Sequence, residues 1–216
     1  MDHWGRWDDE MRKKGKNAAI AIKDSIDVKR ICNDLKIRTP KAYVMFMIGL
    51  TTGYRGGDLI KLTIGDIREA SKTGELTILE EKTEDTRKVP FERVVFLSDK
   101  FKTFLSDYVK GKNDAEYICW SQKGNGIGML KKPIRRDSLG KIFLESCKRL
   151  GIANISVGVH TPRKTYGYNQ YITHDKDINF VQELFGHSTP KITRNYIGID
   201  EEMAKEASTT MDRFVS

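Results

Sequence analysis

The stretch TPKAYVMFMIGLTTGYRGGDL, residues 39–59, decides the fold. Thr39 before Pro40 is a helix start, with a capping hydroxyl and a proline at the first helical position. The residues behind it are apolar nearly all round, so the helix they form belongs in the centre of a core. Gly53 ends it. Working outward, Asp24–Ser25 caps a helix carrying Ile26, Val28, Ile31 and Leu35. Alternation across 75–91 predicts a β-hairpin. DKFKTFLSDYVKGK (99–112) places Phe101, Phe104, Leu105, Tyr108 and Val109 on one stripe of an amphipathic helix. EYICWS (116–121) reads as a short strand. RDSLGKIFLESCKRLG (136–151) reads as a helix capped by Asp137 or Ser138 and closed by Gly151. Shorter helices are predicted near 160–173, 177–186 and 190–197, and Met203, Ala207, Met211 and Phe214 recur at helical spacing at the end. The class is α+β, mainly α, with one small antiparallel sheet.

The chain has 216 residues, 38% hydrophobic and 31% charged, enough for one substantial core. No apolar run approaches the ~20 residues that span a bilayer. The polar start lacks a secretory segment, so the expected location is cytoplasmic. Cys32, Cys119 and Cys147 are scattered, without metal-ligand or redox spacing, and read as reduced packing residues. No carboxylate-rich metal motif is present, so neither metal nor cofactor is expected. The net charge of +8 points to a polyanionic partner, or to a solvated lysine-rich surface.

Five places combine functional side chains with sharp punctuation. Arg55 follows the glycine that ends the central helix, with Asp58 three positions on; the alternative is an ordinary ion pair at a helix start. Lys82 stands near the hairpin tip beside Arg87 and Lys88, where it either crosses a groove toward phosphates or is simply solvated. His160 and Arg163 lie three apart around Pro162, so both project near a helix N-terminus, where free amides and the dipole favour an anion. His187 follows Gly186 at a helix end. Tyr196 is either a half-buried core residue with a wet hydroxyl or a nucleophile. His3 and His174 belong to no such pattern. The remaining candidates suit one chemistry: arginines clamp phosphodiester oxygens, lysine and histidine move protons, and a phenol attacks phosphorus to form an ester.

The order Arg55, Lys82, His160-x-x-Arg163, Gly186-His187, Tyr196, with nine positions from His187 to Tyr196, resembles the tyrosine recombinase (phage integrase) family over roughly residues 25–200. The resemblance implies that Arg55 and Arg163 bind the scissile phosphate, and that Lys82 is general acid toward the departing 5′-hydroxyl. It further implies that His160 assists proton transfer, His187 hydrogen-bonds the phosphate, and Tyr196 attacks to leave a 3′-phosphotyrosyl bond. Asp58 would hold Arg55 rather than react. The implied partner is double-stranded DNA, bound by a tetramer of chains that are monomers when free, with possible accessory excision or bending proteins. The implied activity is site-specific recombination without metal or ATP, for a phage or other mobile genetic element.

The expected organisation is a charged lead-in over 1–22, a catalytic domain over 23–199 and a helical tail over 200–216 that docks on a neighbouring subunit or on its own domain. No separate N-terminal core-binding domain of the kind longer members carry is expected, as in an excised domain or in the short fimbrial phase-switch recombinases. Pro162 stands where members more often carry leucine. Competing readings are a type IB topoisomerase-like or hairpin-end-forming relative, and a non-catalytic DNA-binding relic.

Overall fold

The computed structural model describes residues 18–80, 91–121, 132–152, 156–210 and 212. The chain runs α1 (Ser25–Arg38), α2 (Pro40–Thr52), α3 (Gly56–Leu59), α4 (Ile64–Thr73), β1 (Glu75–Glu80), β2 (Phe91–Phe96) and α5 (Asp99–Val109). It continues through α6 (Arg136–Arg149), α7 (Thr161–Thr173), α8 (Ile178–Phe185), α9 (Pro190–Ile197) and α10 (Asp200–Thr209). The mainly helical class with a two-stranded antiparallel sheet is the one expected.

Helix α2 is the axis of the core, burying Ala42, Val44, Met45, Phe46, Ile48, Gly49 and Thr52. Phe46 meets Phe143 of α6 edge-on, with ring centroids 5.0 Å apart. Two glycines let α7 approach α2 closely. A Cβ on Gly49 would lie 2.7 Å from Cβ of Pro162, and one on Gly53 would run into the Tyr166 ring. Gly53 also needs its positive φ of 63° to cap α2. Pro162 is thus the ridge that fills the Gly49 notch. A second apolar cluster of Tyr166, Tyr171, Val181, Phe185, Ile197 and Ile199 ties α7, α8 and α9 together.

The sheet pairs Glu75 with Phe96 through Glu80 with Phe91. Its base is tied to the end of α2: the buried Tyr54 hydroxyl sits on the carbonyls of Leu76 and Arg93. Arg93 Nη2 in turn donates to the Thr52 carbonyl at 3.2 Å. The hairpin tip with Lys82 lies outside the described residues.

Three local expectations are corrected. EYICWS forms no strand; its backbone makes isolated bridges, Thr63 with Tyr117 and Trp120 with Pro133, so no partner runs alongside long enough for a ladder. Helix α6 is not capped by Asp137 or Ser138, because it begins two to three residues earlier, with Arg135 at the N-cap and no side-chain cap bond. Thr39 is the N-cap of α2, but its hydroxyl makes no cap bond. The structure adds α4, which opens on a reciprocal capping box between Thr63 and Asp66.

Burial pushes each thiol, Cys32, Cys119 and Cys147, up to about 11. Among the described residues no helix is long and apolar enough to cross a membrane, and no cluster of metal-binding side chains is found.

Candidate active site

Where α2 stops, the chain turns through Gly53 and Tyr54 and places Arg55 at the N-cap of α3, in extended conformation (φ −67°, ψ 145°). Asp58 is one turn on and buried, its amide donating to the Arg55 carbonyl at 3.0 Å. Gly56 is pressed against the segment leading into α7: a Cβ there would lie 2.5 Å from Val159 Cγ2. That contact brings Arg55 beside His160, the N-cap of α7.

Arg163, one turn into α7, is 1% exposed. A buried guanidinium must find acceptors. Arg163 Nη1 donates to the Gly53 carbonyl at 2.5 Å, Nη2 donates to the Phe185 carbonyl at 3.3 Å, and its plane covers the Phe185 ring at 4.2 Å. These contacts join the ends of α2 and α8, so one side chain fixes where three helices meet. An arginine has more N–H donors than two carbonyls use; the Arg163 guanidinium also stands 5.9 Å from the centre of the Tyr196 ring.

Tyr196 is half-buried on α9. Its ring stands edge-on to Phe185 (5.5 Å) and to His187 (5.2 Å), with Lys164 Nζ 4.8 Å from the ring centre. Burial raises the pKa of the phenol, while Arg163 and Arg55 pull it back down. The nucleophile candidate is therefore neutral at pH 7, poised among cations that favour its anion. His187 sits where Gly186 closes α8 in the left-handed conformation (φ 63°). Its Nδ1 is 3.0 Å from Thr193 Oγ1, which sets the ring orientation.

His160 is desolvated, and its pKa is lowered first by burial and then by Arg163, Lys164, Arg136 and Arg55. Its Nδ1 is buried and finds no hydrogen-bond partner among the described residues. A neutral imidazole ringed by cations takes up a proton readily once an anion enters.

Arg55, His160, Arg163, His187 and Tyr196, dispersed from position 55 to position 196, are thus brought to one place. Two cations of the site escaped sequence reading. Arg136 opens α6 with its Cδ about 4.0 Å from where a Gly57 Cβ would stand. It reaches the site because Gly140, where a Cβ would lie only 3.0 Å from the Val159 amide nitrogen, lets α6 pack on the same segment. The basic pair Arg135–Arg136 at a helix start was the available signal. Lys164 is adjacent to Arg163 but gave no sign of lying over the tyrosine ring.

Comparison with known proteins bears on the family and the fold. Residues 24–203 match the phage integrase family. A protein described as a probable integrase/recombinase, YoeC of Bacillus subtilis (strain 168), is 31% identical over 170 residues, which is 79% of this chain and 84% of that protein. In fold, the chain is similar to XerA recombinase, with a TM-score of 0.60 at 18% identity over 89% of this chain and 66% of that one. It is also similar to the XerH site-specific recombinase solved in a post-cleavage complex with a palindromic difH substrate. There the TM-score is 0.58 at 19% identity, over 93% of this chain and 56% of that one. The chain thus spans about two thirds of the first solved chain and little more than half of the second.

Proposed function

The chain belongs to the phage integrase family, and from that premise we propose that it is a site-specific DNA recombinase whose nucleophile is Tyr196. One observation carries the reading: two guanidinium groups remote in sequence face one phenol, Arg163 with its Cζ 5.9 Å from the centre of the Tyr196 ring and Arg55 near enough to pull the phenol's pKa down. A phosphodiester seated between them gains charge in the transition state, and preorganised donors stabilise that charge. Tyr196 Oη attacks phosphorus, forming the Oη–P bond and breaking the bond to the 5′-oxygen. His160 accepts the phenolic proton, its lowered pKa leaving it neutral for the task. The departing 5′-oxygen takes a proton from Lys82. His187 and Arg136 add donors to the phosphate and its neighbour. The new ester conserves the energy of the phosphodiester, so the reverse attack by a 5′-hydroxyl reseals the strand.

The partner is duplex DNA, attracted by the net charge of +8. Several copies act together on it, and the tail supports that association. Helix α10 buries no residue on its own domain. Met203 is exposed. A chain ending after Ile199 stays folded and binds DNA as a monomer; unchanged assembly on DNA in ultracentrifugation refutes the role of the tail.

The central test uses a duplex nicked near the cleavage site, so that the cut fragment diffuses away and the covalent adduct accumulates. Wild type forms the adduct and Tyr196→Phe does not. An undiminished adduct in Tyr196→Phe moves the nucleophile elsewhere. Tight binding with no adduct from wild type on any duplex favours a non-catalytic protein.

A further inference from the structure

The lead-in ahead of α1 is not a loose approach to the domain. Ala21 and Ile22 are 5% and 4% exposed. The Ile20 amide donates to the Ser156 carbonyl at 2.8 Å, and the Ile22 amide donates to Thr165 Oγ1 on α7 at 2.9 Å. The next residue is therefore held at a fixed height above the helix that carries Arg163. From there Lys23 Nζ reaches the far end of α9. It donates to the Gly198 carbonyl at 2.7 Å and to Glu202 Oε1 at 2.6 Å, and stands 5.0 Å from the centre of the Tyr168 ring. Gly198 is the C-cap of α9, two residues after Tyr196. An ammonium at that carbonyl satisfies an orphan acceptor and complements the negative end of the helix dipole.

Helix α9 needs such a tether. It is short and buries only Thr193 and Ile197. A groove of about 950 Å³ runs between it and the lead-in, lined by Ala19, Ile192, Asn195 and Tyr196 among others. Lys23 spans that groove at one end.

We propose that Lys23 is a positioning residue for the nucleophile: by tying the pinned lead-in to the C-terminal end of α9, it keeps Tyr196 docked against Arg163. This rests on Tyr196 being the nucleophile, but the tether itself is measurable without catalysis.

The test compares Lys23→Met, which keeps the stem and removes the charge, with Lys23→Arg and with Lys29→Ala, which removes an exposed lysine of α1. In single-turnover assays on the nicked duplex, Lys23→Met slows adduct formation by roughly five- to tenfold, with the dissociation constant for DNA within about twofold of wild type. Lys23→Arg recovers most of the rate, and Lys29→Ala keeps it. In hydrogen exchange without DNA, amides of 197–209 exchange faster in Lys23→Met while those of α2 do not change. Unchanged exchange over 197–209 in Lys23→Met overturns the tether, whatever the activity. Equal slowing by Lys29→Ala overturns it in favour of general loss of charge. Absence of adduct from wild type refutes the nucleophile assignment alone, and the exchange measurement still decides the tether.

Discussion

Replacing Arg163 by lysine separates its two duties. Lysine keeps the charge but is a point donor, whereas the guanidinium serves the Gly53 and Phe185 carbonyls at once. One of these carbonyls then loses its partner in a site only 1% exposed. A hydrogen bond to a charged group contributes about 1.5–3 kcal/mol, so Arg163→Lys should be destabilised by about that amount. For a chain of this size, that is a fall in Tm of roughly 3–12 °C. The protein remains folded, because domains of this kind hold about 5–15 kcal/mol. The transition state loses more: one preorganised donor stabilises developing charge by about 3–4 kcal/mol, or roughly a hundred- to a thousandfold in rate. Urea unfolding measures the first effect, and adduct formation at saturating nicked duplex measures the second. Cleavage within about threefold of wild type would refute the view that Arg163 holds the scissile phosphate. Lost cleavage with wild-type stability would instead show that the carbonyl contacts contribute nothing to the fold.

Other outcomes follow from the same geometry. The folded pKa of His160 lies below its ordinary 6.5, so its contribution to stability is complete above about 6.5 and is lost as pH falls through that value toward the depressed one; pH-dependent urea titrations should show this component, and His160→Phe should abolish it. An entering phosphate opposes the same depression, so DNA affinity should strengthen as pH drops below about 6.5, less so in His160→Phe. Gly167→Ala forces a Cβ to within 2.6 Å of Phe185 and 2.8 Å of Ile197, and should cost about 1–3 kcal/mol while slowing cleavage by shifting α8 and α9; unfolding midpoints and adduct rates check both. Lys82→Ala should slow cleavage by about a hundred- to ten-thousandfold, and a sulfur in place of the bridging 5′-oxygen, a leaving group that needs no proton, should restore it; persistent loss with sulfur would remove Lys82 as general acid.

The central helix was legible because its apolar surface is continuous, from Val44 through Ile48, and its ends carry Pro40 and Gly53. The first strand and α5 were legible from their periods, whereas the second strand, Phe91–Phe96, begins where the hairpin expected over 75–91 was to end. EYICWS misled because apolar, β-branched character satisfies burial without supplying a ladder partner: Ile118 and Cys119 are buried, yet their backbone bonds go to Leu62 and Ile134 in turn. The chain order of Arg55, His160, Arg163, His187 and Tyr196 indicated a site, but their convergence depends on Gly49, Gly56 and Gly167 meeting Pro162, Val159 and Phe185. Such notches are pairings across the fold and leave no local pattern. For the same reason Arg136, Lys164 and Lys23 could not be told from solvated cations.

The three natural thiols are poor reagents at neutral pH, each held protonated by its surroundings near 11. A single cysteine introduced on the outer face of α10, at Ala207 for example, would outcompete them for a maleimide dye. Fluorescence transfer from such a dye, in an otherwise unaltered background, would test the proposal that the tail docks on a neighbouring copy of the chain.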